Sequence, residues 1–579
     1  MISAIKELKN KGFNLEGLVK DYQKSEQTFI NNDVLFYKNI SEGLMALAHF
    51  KNGVCLNFVN NFNNFSVMLD VSRGAVFKVE YIKKLLRSYA MMGLNEVWLY
   101  LEDLYELDNY LDFGYLRGCY TDDELKEVVK YAEIFGIKII PTIQTLGHME
   151  QFLKWNNQIE LKDQTNVLLM KSEQTYQLID EMLKKLQAIF KSNKIHLGLD
   201  ETWGFGFGNF YKKNGYISQL ELFFDHLEVV NGLALKNGFK EVLIWSDMPY
   251  RILSKNNSYY DEKIVLDQKI VEKIFSNIKL VYWDYYNRDF EKVEKMIKNH
   301  LNITSKFCFA SGTWIWTRFT YDKNQTDNTC KTHLKAAIAS GVKDFTLTQW
   351  MDDGAYGDHE TTLLGVYEMS LEALTRGASP DDKTYHFITN HHLEVAYNKT
   401  KLNNLSLSQV GLLWDDPQYA IYLDNYARGD LTIYENLVAE MEKLIALYEG
   451  DERYDFENQI LKANYYKVLG RKTFIKQYLK KEVIEISEFF NNEVKHLRKL
   501  INLYRDKWYK NYKMNGFEKI QLRLAGQIVR AEEMIVLAKM YNEKKITEIA
   551  GILIKKQPKS QYIHPKYSHI AFTTRPFDS

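Results

Sequence analysis

Cysteine is scarce in this chain: four residues in 579, at positions 55, 119, 308 and 330. None stands in a C-x-x-C spacing, which argues against a zinc knot or a redox pair, and such sparse use suits a reducing compartment. Excess charge of one sign is also missing. Lys and Arg total 75 and Asp and Glu total 75, a net charge of zero, so the long-range attraction of a nucleic-acid or anionic-membrane binder is absent. No window approaches the roughly 18 uncharged apolar residues of a membrane span. The amphipathic, charged start "MISAIKELKNKGF" lacks the apolar core of a secretory signal. The expectation is a cytoplasmic protein with neither nucleic acid nor membrane as partner. What remains is an ordinary globular composition, 46% hydrophobic and 26% charged, in a chain long enough for about two to four domains.

Eight short apolar runs alternate with amphipathic segments of helical period between about residues 66 and 376. They are "SVMLDVSR" (66–73), "EVWLYLED" (96–103), "IKIIPTIQ" (137–144), "KIHLGLDE" (194–201), "EVLIWSDM" (241–248), "KLVYWDYY" (279–286), "FCFASGTW" (307–314) and "DFTLTQWMDD" (344–353). Each reads as a buried parallel strand with a polar end. Between them, "EYIKKLLRSYAMMG" puts Tyr81, Ile82, Leu85, Leu86 and Tyr89 on one stripe. "TDDELKEVVKYAEIFG" opens with a capping signal at Thr121 and Glu124. Eight such alternations predict an α/β (β/α)8 barrel, and no Gly-rich phosphate loop follows the first run to favour an open nucleotide-binding sheet. Residues 1–65 read as a small α/β unit, with a helix over "DVLFYKNISEGLMALAHF" and a strand at "GVCLNFV". Residues 66–380 are the expected barrel. Residues 381–579 carry long amphipathic segments with few breaks and are the expected α-helical domain.

In such barrels the chemistry sits at the C-terminal ends of the strands. Those ends carry Arg73, Asp103, Asp200, Glu201, Trp245, Trp283, Trp314, Trp350 and Asp352. Asp200 and Glu201 are adjacent, and two carboxylates in one cleft push their pKa values apart, leaving one ionised and one able to donate a proton. Adjacent strand residues point to opposite faces, so a bend must bring both to one pocket.

These motifs resemble those of glycoside hydrolase family 20, the β-N-acetylhexosaminidases. "IHLGLDET" is similar to that family's His-x-Gly-x-Asp-Glu, "MLDVSR" to its Leu-Asp-x-x-Arg, "PTIQTLGHMEQF" to its Pro-Glu-x-Asp-x-Pro-Gly-His, and "TQWMDD" to its Trp-x-Glu. The likeness covers roughly residues 66–376, in order. Gln144 stands where an acid is usual, Leu146 where Pro is usual and Leu199 where a small residue is common, which marks a divergent branch, of intracellular type with a helical C-terminal domain. The resemblance implies an exo-acting enzyme that releases terminal GlcNAc or GalNAc with retention, using the substrate's own acetamido oxygen as nucleophile. It implies Glu201 as acid and base, Asp200 as holder of the acetamido N–H, Arg73 on O3 and O4, and Asp352, or its neighbour Asp353, on O4 and O6. Tyr285, with Tyr321 as second choice, would grip the acetamido oxygen. Trp245, Trp283, Trp314 and Trp350 would wall the sugar, Trp316 being structural, and His148 with Asp103 would orient Glu201. The implied partner is an oligosaccharide or glycoconjugate ending in N-acetylhexosamine, with no cofactor and no metal. For the C-terminal helices, a homodimer contact and a pocket lid stand equal.

Three other readings compete. A conventional two-carboxylate retaining β-glycosidase needs a nucleophile about 5–5.5 Å from the acid, from another strand. A non-catalytic carbohydrate-binding barrel would keep the tryptophans but lose the acid. A metal-dependent hydrolase using Asp103, His148 and Asp200 would normally show a dense ligand set such as His-x-His, and no strand end carries one.

Overall fold

The computed structural model describes residues 1–266, 271–272, 276–428, 430–551 and 566–573; the expected C-terminal limit at 579 lies outside them. The eight apolar runs form eight parallel strands: β1 (Asn64–Asp70), β2 (Glu96–Tyr100), β3 (Lys138–Thr142), β4 (Lys194–His196), β5 (Glu241–Trp245), β6 (Ile278–Trp283), β7 (Phe307–Gly312) and β8 (Asp344–Gln349). They close into a barrel in sequence order, β8 pairing with β1 from Asp344↔Asn64 to Gln349↔Leu69. The fold is a (β/α)8 barrel. The strands are buried almost throughout, as both faces of a parallel sheet require.

The helices form where the sequence signals them. Val79–Met91 buries Tyr81, Ile82, Leu85, Leu86 and Tyr89 and ends before Gly93, at φ +87°. Asp122–Ile134 starts on a complete capping box, the Thr121 side chain accepting the Glu124 N–H and the Glu124 side chain accepting the Thr121 N–H. At the N-terminal end of the barrel the first strand residues pair by charge. Lys194 reaches Glu96 at 2.8 Å, and Lys279 reaches Glu241 at 3.1 Å and also contacts Asp344. That end is closed by structural ion pairs, leaving the opposite end for chemistry.

The closure is thinnest at one seam. β4 is three residues long and meets β3 through the single pair Thr142↔His196. Past His196 the chain keeps backbone bonds to β5, Leu197 N–H donating to the Leu243 carbonyl at 2.9 Å and Trp245 N–H to the Gly198 carbonyl at 3.1 Å, and the Asp200–Glu201 segment lies beyond them.

Two compact units are present. One holds residues 1–314, 325–350 and 363–393; the other holds 315–324, 351–362 and 394–579. In the first, the N-terminal segment departs from its sequence reading. Val34–Tyr37 is a strand, parallel to Asp21–Lys24, and the helix starts only at Ile40. The reason is Asn39, whose side chain accepts the Glu42 N–H at 2.8 Å and so fixes the helix start. "GVCLNFV" is no strand; it contributes one isolated bridge, Phe58↔Thr375.

The second unit is helical, led by Leu431–Tyr448, Asp455–Lys480, Ser487–Asn511 and Phe517–Asn542. The long stretch after 455 breaks at Lys481, φ +55°. Phe474, Ile484, Ile486, Phe490, Ala531 and Met534 pack across three of these helices. Gly470 permits the closest approach: a Cβ there would lie 2.9 Å from the Phe490 ring. Among the described residues no helix is long and apolar enough to cross a membrane.

Candidate active site

The site grows from backbone geometry past β4. Gly198, Leu199 and Glu201 all have positive φ, at +74°, +73° and +47°. A Cβ on Gly198 would sit 2.1 Å from the Gln144 side-chain oxygen and 2.7 Å from the Ile143 carbonyl. Glycine is thus required both for its conformation and for the Gln144 side chain beside it. The left-handed turns change the facing of the last residues, so Asp200 and Glu201 escape strand alternation. Asp200 is buried, while the Glu201 side chain keeps 41% exposure.

Asp200 is held at both carboxylate oxygens. Gln144 Nε2 donates to Oδ1 at 2.8 Å, and His148 Nε2 lies 3.4 Å from Oδ2, an ion-pair distance longer than a good hydrogen bond. Burial alone would raise the Asp200 pKa, but the His148 charge, with Gln144 and Arg73, more than offsets it and brings it to about 2. His148 shows the converse: burial would lower its pKa, and the Asp200 carboxylate raises it to about 9. Glu201 is pushed upward, by burial first and then by the Asp200 charge. The pKa values of the two neighbouring acids are therefore pushed in opposite directions.

Arg73 arrives from the end of β1. Asp70 accepts the Ser72 N–H at 3.0 Å and the Arg73 N–H at 3.2 Å, shaping the turn that aims the guanidinium. Its Nε donates to Glu102 Oε1 at 2.8 Å and one terminal nitrogen to the Tyr100 hydroxyl at 3.2 Å. The guanidinium also lies 5.3 Å from the centre of the Trp350 ring. Trp350 donates its Nε1–H to the Tyr285 hydroxyl at 3.0 Å, and Tyr285 stacks on Trp283 with centroids 5.5 Å apart. Trp283, Trp314 and Trp350 keep 7–8% exposure.

Arg73, His148, Asp200, Glu201, Trp283, Tyr285 and Trp350 thus belong to one contiguous network. Trp314 adjoins it through Tyr286, whose ring lies 5.7 Å away. Trp245 does not line an open surface. It is 1% exposed and packs within the barrel on His196 at 4.5 Å and Trp350 at 6.1 Å. Asp103 faces Arg117, with which it pairs. The acid on the Arg73 and His148 side is its neighbour Glu102, left-handed at φ +46°. Asp352, Asp353, Trp316 and Tyr321 belong to the second compact unit, where Arg523 pairs with Asp353 at 2.8 Å and Tyr321 N–H donates to Thr361 Oγ1.

Three charged residues of this network were not singled out from sequence. Glu102 was visible as half of the acidic pair in "WLYLED". Asp247, two residues past β5, is wholly buried and accepts the Glu201 N–H at 3.2 Å. Arg251, one turn further on, donates Nε–H to Asp247 at 2.9 Å and places a terminal nitrogen 3.8 Å from Glu201 Oε1; nothing in its local sequence marked it. Among the described residues no cluster of three or more His, Cys, Asp or Glu could hold a metal ion.

Comparison with known proteins supplies the context. Residues 62–335 match the model of the glycosyl hydrolase family 20 catalytic domain, and residues 385–560 match that of the glycoside hydrolase 20C C-terminal domain. Hexosaminidase D from Bos taurus is 24% identical over 258 residues, 43% of this chain and 69% of that protein. The beta-hexosaminidase of Vibrio furnissii is 30% identical over 168 residues, 27% of this chain and 25% of its own length. The chain spans 44% of Homo sapiens Hexosaminidase D, so it covers less than two thirds of some of these relatives. A family 20 exo-β-N-acetylglucosaminidase from Vibrio harveyi, solved with N-acetylglucosamine, superposes with a TM-score of 0.48 at 15% identity, over 68% of this chain and 71% of that one.

Proposed function

The chain belongs to glycosyl hydrolase family 20 and is a glycoside hydrolase, and on that premise we propose that it is an exo-acting β-N-acetylhexosaminidase working by substrate-assisted hydrolysis. The observation that carries the reading is the placement of two neighbouring acids: Asp200 buried against Gln144 and His148, which favour its anion, and Glu201 beside it with 41% of its side chain exposed and its pKa pushed upward.

The steps follow from that placement. The acetamido oxygen of a terminal N-acetylhexosamine attacks its own C1, the bond from C1 to the leaving oxygen breaks, and Glu201 gives that oxygen its proton. The resulting oxazolinium ion carries positive charge next to Asp200, whose carboxylate accepts the acetamido N–H and stabilises the cation. Water then attacks C1 and yields its proton to Glu201, the ring opens to the acetamide, and the configuration at C1 is retained. Tyr285, aligned by Trp350, donates to the acetamido oxygen. Trp283, Trp314 and Trp350 cover the apolar faces of the sugar. Arg73, braced by Glu102, takes O3 and O4.

A panel of aryl β-glycosides differing only at C2 and C4 tests this. The 2-acetamido sugars are cleaved and the 2-hydroxy sugars are not. Cleavage of plain β-glucosides at a comparable rate would replace substrate assistance by the two-carboxylate scheme. The C4 pair reports whether GlcNAc or GalNAc is preferred.

A further inference from the structure

Glu201 occupies a left-handed backbone conformation, φ +47°, that is strained for a non-glycine residue. Its N–H has no strand partner, because β4 ends at His196. The conformation needs an outside hold, and the acceptor that supplies one is Asp247 Oδ2, at 3.2 Å. The same oxygen accepts the Arg251 Nε–H at 2.9 Å. Arg251 returns to the other end of Glu201, 3.8 Å from Oε1, and its guanidinium lies 4.7 Å from the Trp203 ring centre and 5.5 Å from that of Trp283. One buried carboxylate therefore grips the Glu201 backbone directly and its side chain through Arg251.

An acid in the first turn of the short helix Asp247–Leu253 has a plainer explanation, interaction with that helix's own N-terminal N–H groups. The contacts do not fit it: both donors to Asp247 Oδ2 are Glu201 N–H and Arg251 Nε–H, and Oδ1 is buried with no hydrogen-bond partner among the described residues. Keeping a carboxylate in such a place is costly, and burial together with the Asp200 charge raises its pKa to about 7. Its stabilising partners are the groups that set Glu201.

We propose that Asp247 is a positioning residue that, with Arg251, fixes the backbone and carboxyl of Glu201 for proton transfer to the leaving oxygen. The proposal rests on Glu201 being the general acid. It predicts a loss that depends on how much the leaving group needs a proton.

The test compares phenyl and 2,4-dinitrophenyl N-acetyl-β-glucosaminides in the wild type, Asp247→Asn, Asp247→Ala and Glu201→Gln, reading kcat and KM separately. Each variant is scored by its own ratio of kcat on the two substrates, which does not depend on the fraction of enzyme folded. Asp247→Ala should lose on the order of 100-fold in kcat on the phenyl substrate and under about 5-fold on the dinitrophenyl one, with KM little changed. Asp247→Asn keeps an acceptor for the Glu201 N–H but weakens the hold on Arg251, and should fall between. A proportional loss on both substrates, or no loss, in the Asp247 variants while Glu201→Gln shows the steep dependence overturns the role of Asp247 alone. No leaving-group dependence in Glu201→Gln overturns the acid assignment, and the positioning role with it.

Discussion

Replacing His148 by Asn removes the charge opposite Asp200 and should move the acid limb of the pH–activity profile by about two units. At 3.4 Å and an effective dielectric constant of about 20, the attraction between the two groups is about 5 kcal/mol. The His148 pKa rises from 6.5 to about 9, a net gain of about 3.4 kcal/mol at 1.36 kcal/mol per unit. Burial of the imidazolium and the Arg73 charge oppose that attraction, and the Asp200 contacts with the Glu102 charge outweigh them. Coupling is reciprocal, so the same interaction helps hold Asp200 near 2, and without it the Asp200 pKa should rise to about 4 or above. At pH 7 Asp200 stays ionised either way, so the protonation effect appears only below about pH 5.

The assay is kcat/KM on an aryl N-acetylhexosaminide from pH 3 to 9, with circular dichroism confirming folding at each point. The wild type should keep its activity to the acid edge of its folded range, and His148→Asn should lose it about two units earlier. Identical acid limbs would refute the reasoning. Stability gives an independent reading of the same pair. The raised His148 pKa contributes stability that is full below about 6.5 and lost as pH climbs through about 9; the lowered Asp200 pKa contributes stability present above about 3.8 and lost as pH falls through about 2. Wild-type melting temperature should therefore fall between pH 6.5 and 9 more steeply than that of His148→Asn.

Further outcomes follow from other contacts. Gly198→Ala forces a Cβ to 2.1 Å from the Gln144 side chain at φ +74°, and should cost about 2–4 kcal/mol in urea denaturation and most of kcat. Gln144→Glu sets a second carboxylate where the amide now bonds Asp200 at 2.8 Å; the two should share a proton and shift the acid limb up by at least about one unit. EDTA should leave activity unchanged, and a loss restored by zinc would favour a metal mechanism. In the helical unit, Lys467 is buried and donates to the carbonyls of Leu412, Leu413 and Asp415 and to Gln527, with Glu493 at 3.5 Å. Lys467→Met should destabilise the protein by about 3–5 kcal/mol, since it strands those acceptors and a buried acid.

The barrel was legible because its signal is repetitive. Eight apolar runs each need burial on two faces, and a closed ring of parallel strands satisfies all of them with short connections. Capping at Thr121 and the Tyr81–Tyr89 stripe were legible for the same local reason. The N-terminal segment was misread where one residue decides: Asn39 caps a helix and frees Val34–Tyr37 to pair as a strand. The helical run after 455 gave no sign of its break, because Lys481 adopts a left-handed conformation without a glycine to announce it.

At the strand ends, sequence spacing names the residues but not their neighbours. Asp103 and Glu102 are adjacent, and the folded backbone, left-handed at Glu102, sets Glu102 between Arg73 and Arg117 while Asp103 meets Arg117. The acid pair poses the same problem more sharply, since strand alternation would send Asp200 and Glu201 to opposite faces. The chain solves it by ending β4 at His196, two residues before Gly198, and turning left-handed three times in four residues. Of that device the motif "IHLGLDET" carries Gly198, and the structure shows why it is glycine: a Cβ there would sit 2.1 Å from Gln144. The unreadable part is the brace, Asp247 and Arg251, contributed by the segment after β5. A strained turn that carries an acid needs a partner from elsewhere in the fold, so the residues that make the site precise lie where local sequence cannot point to them.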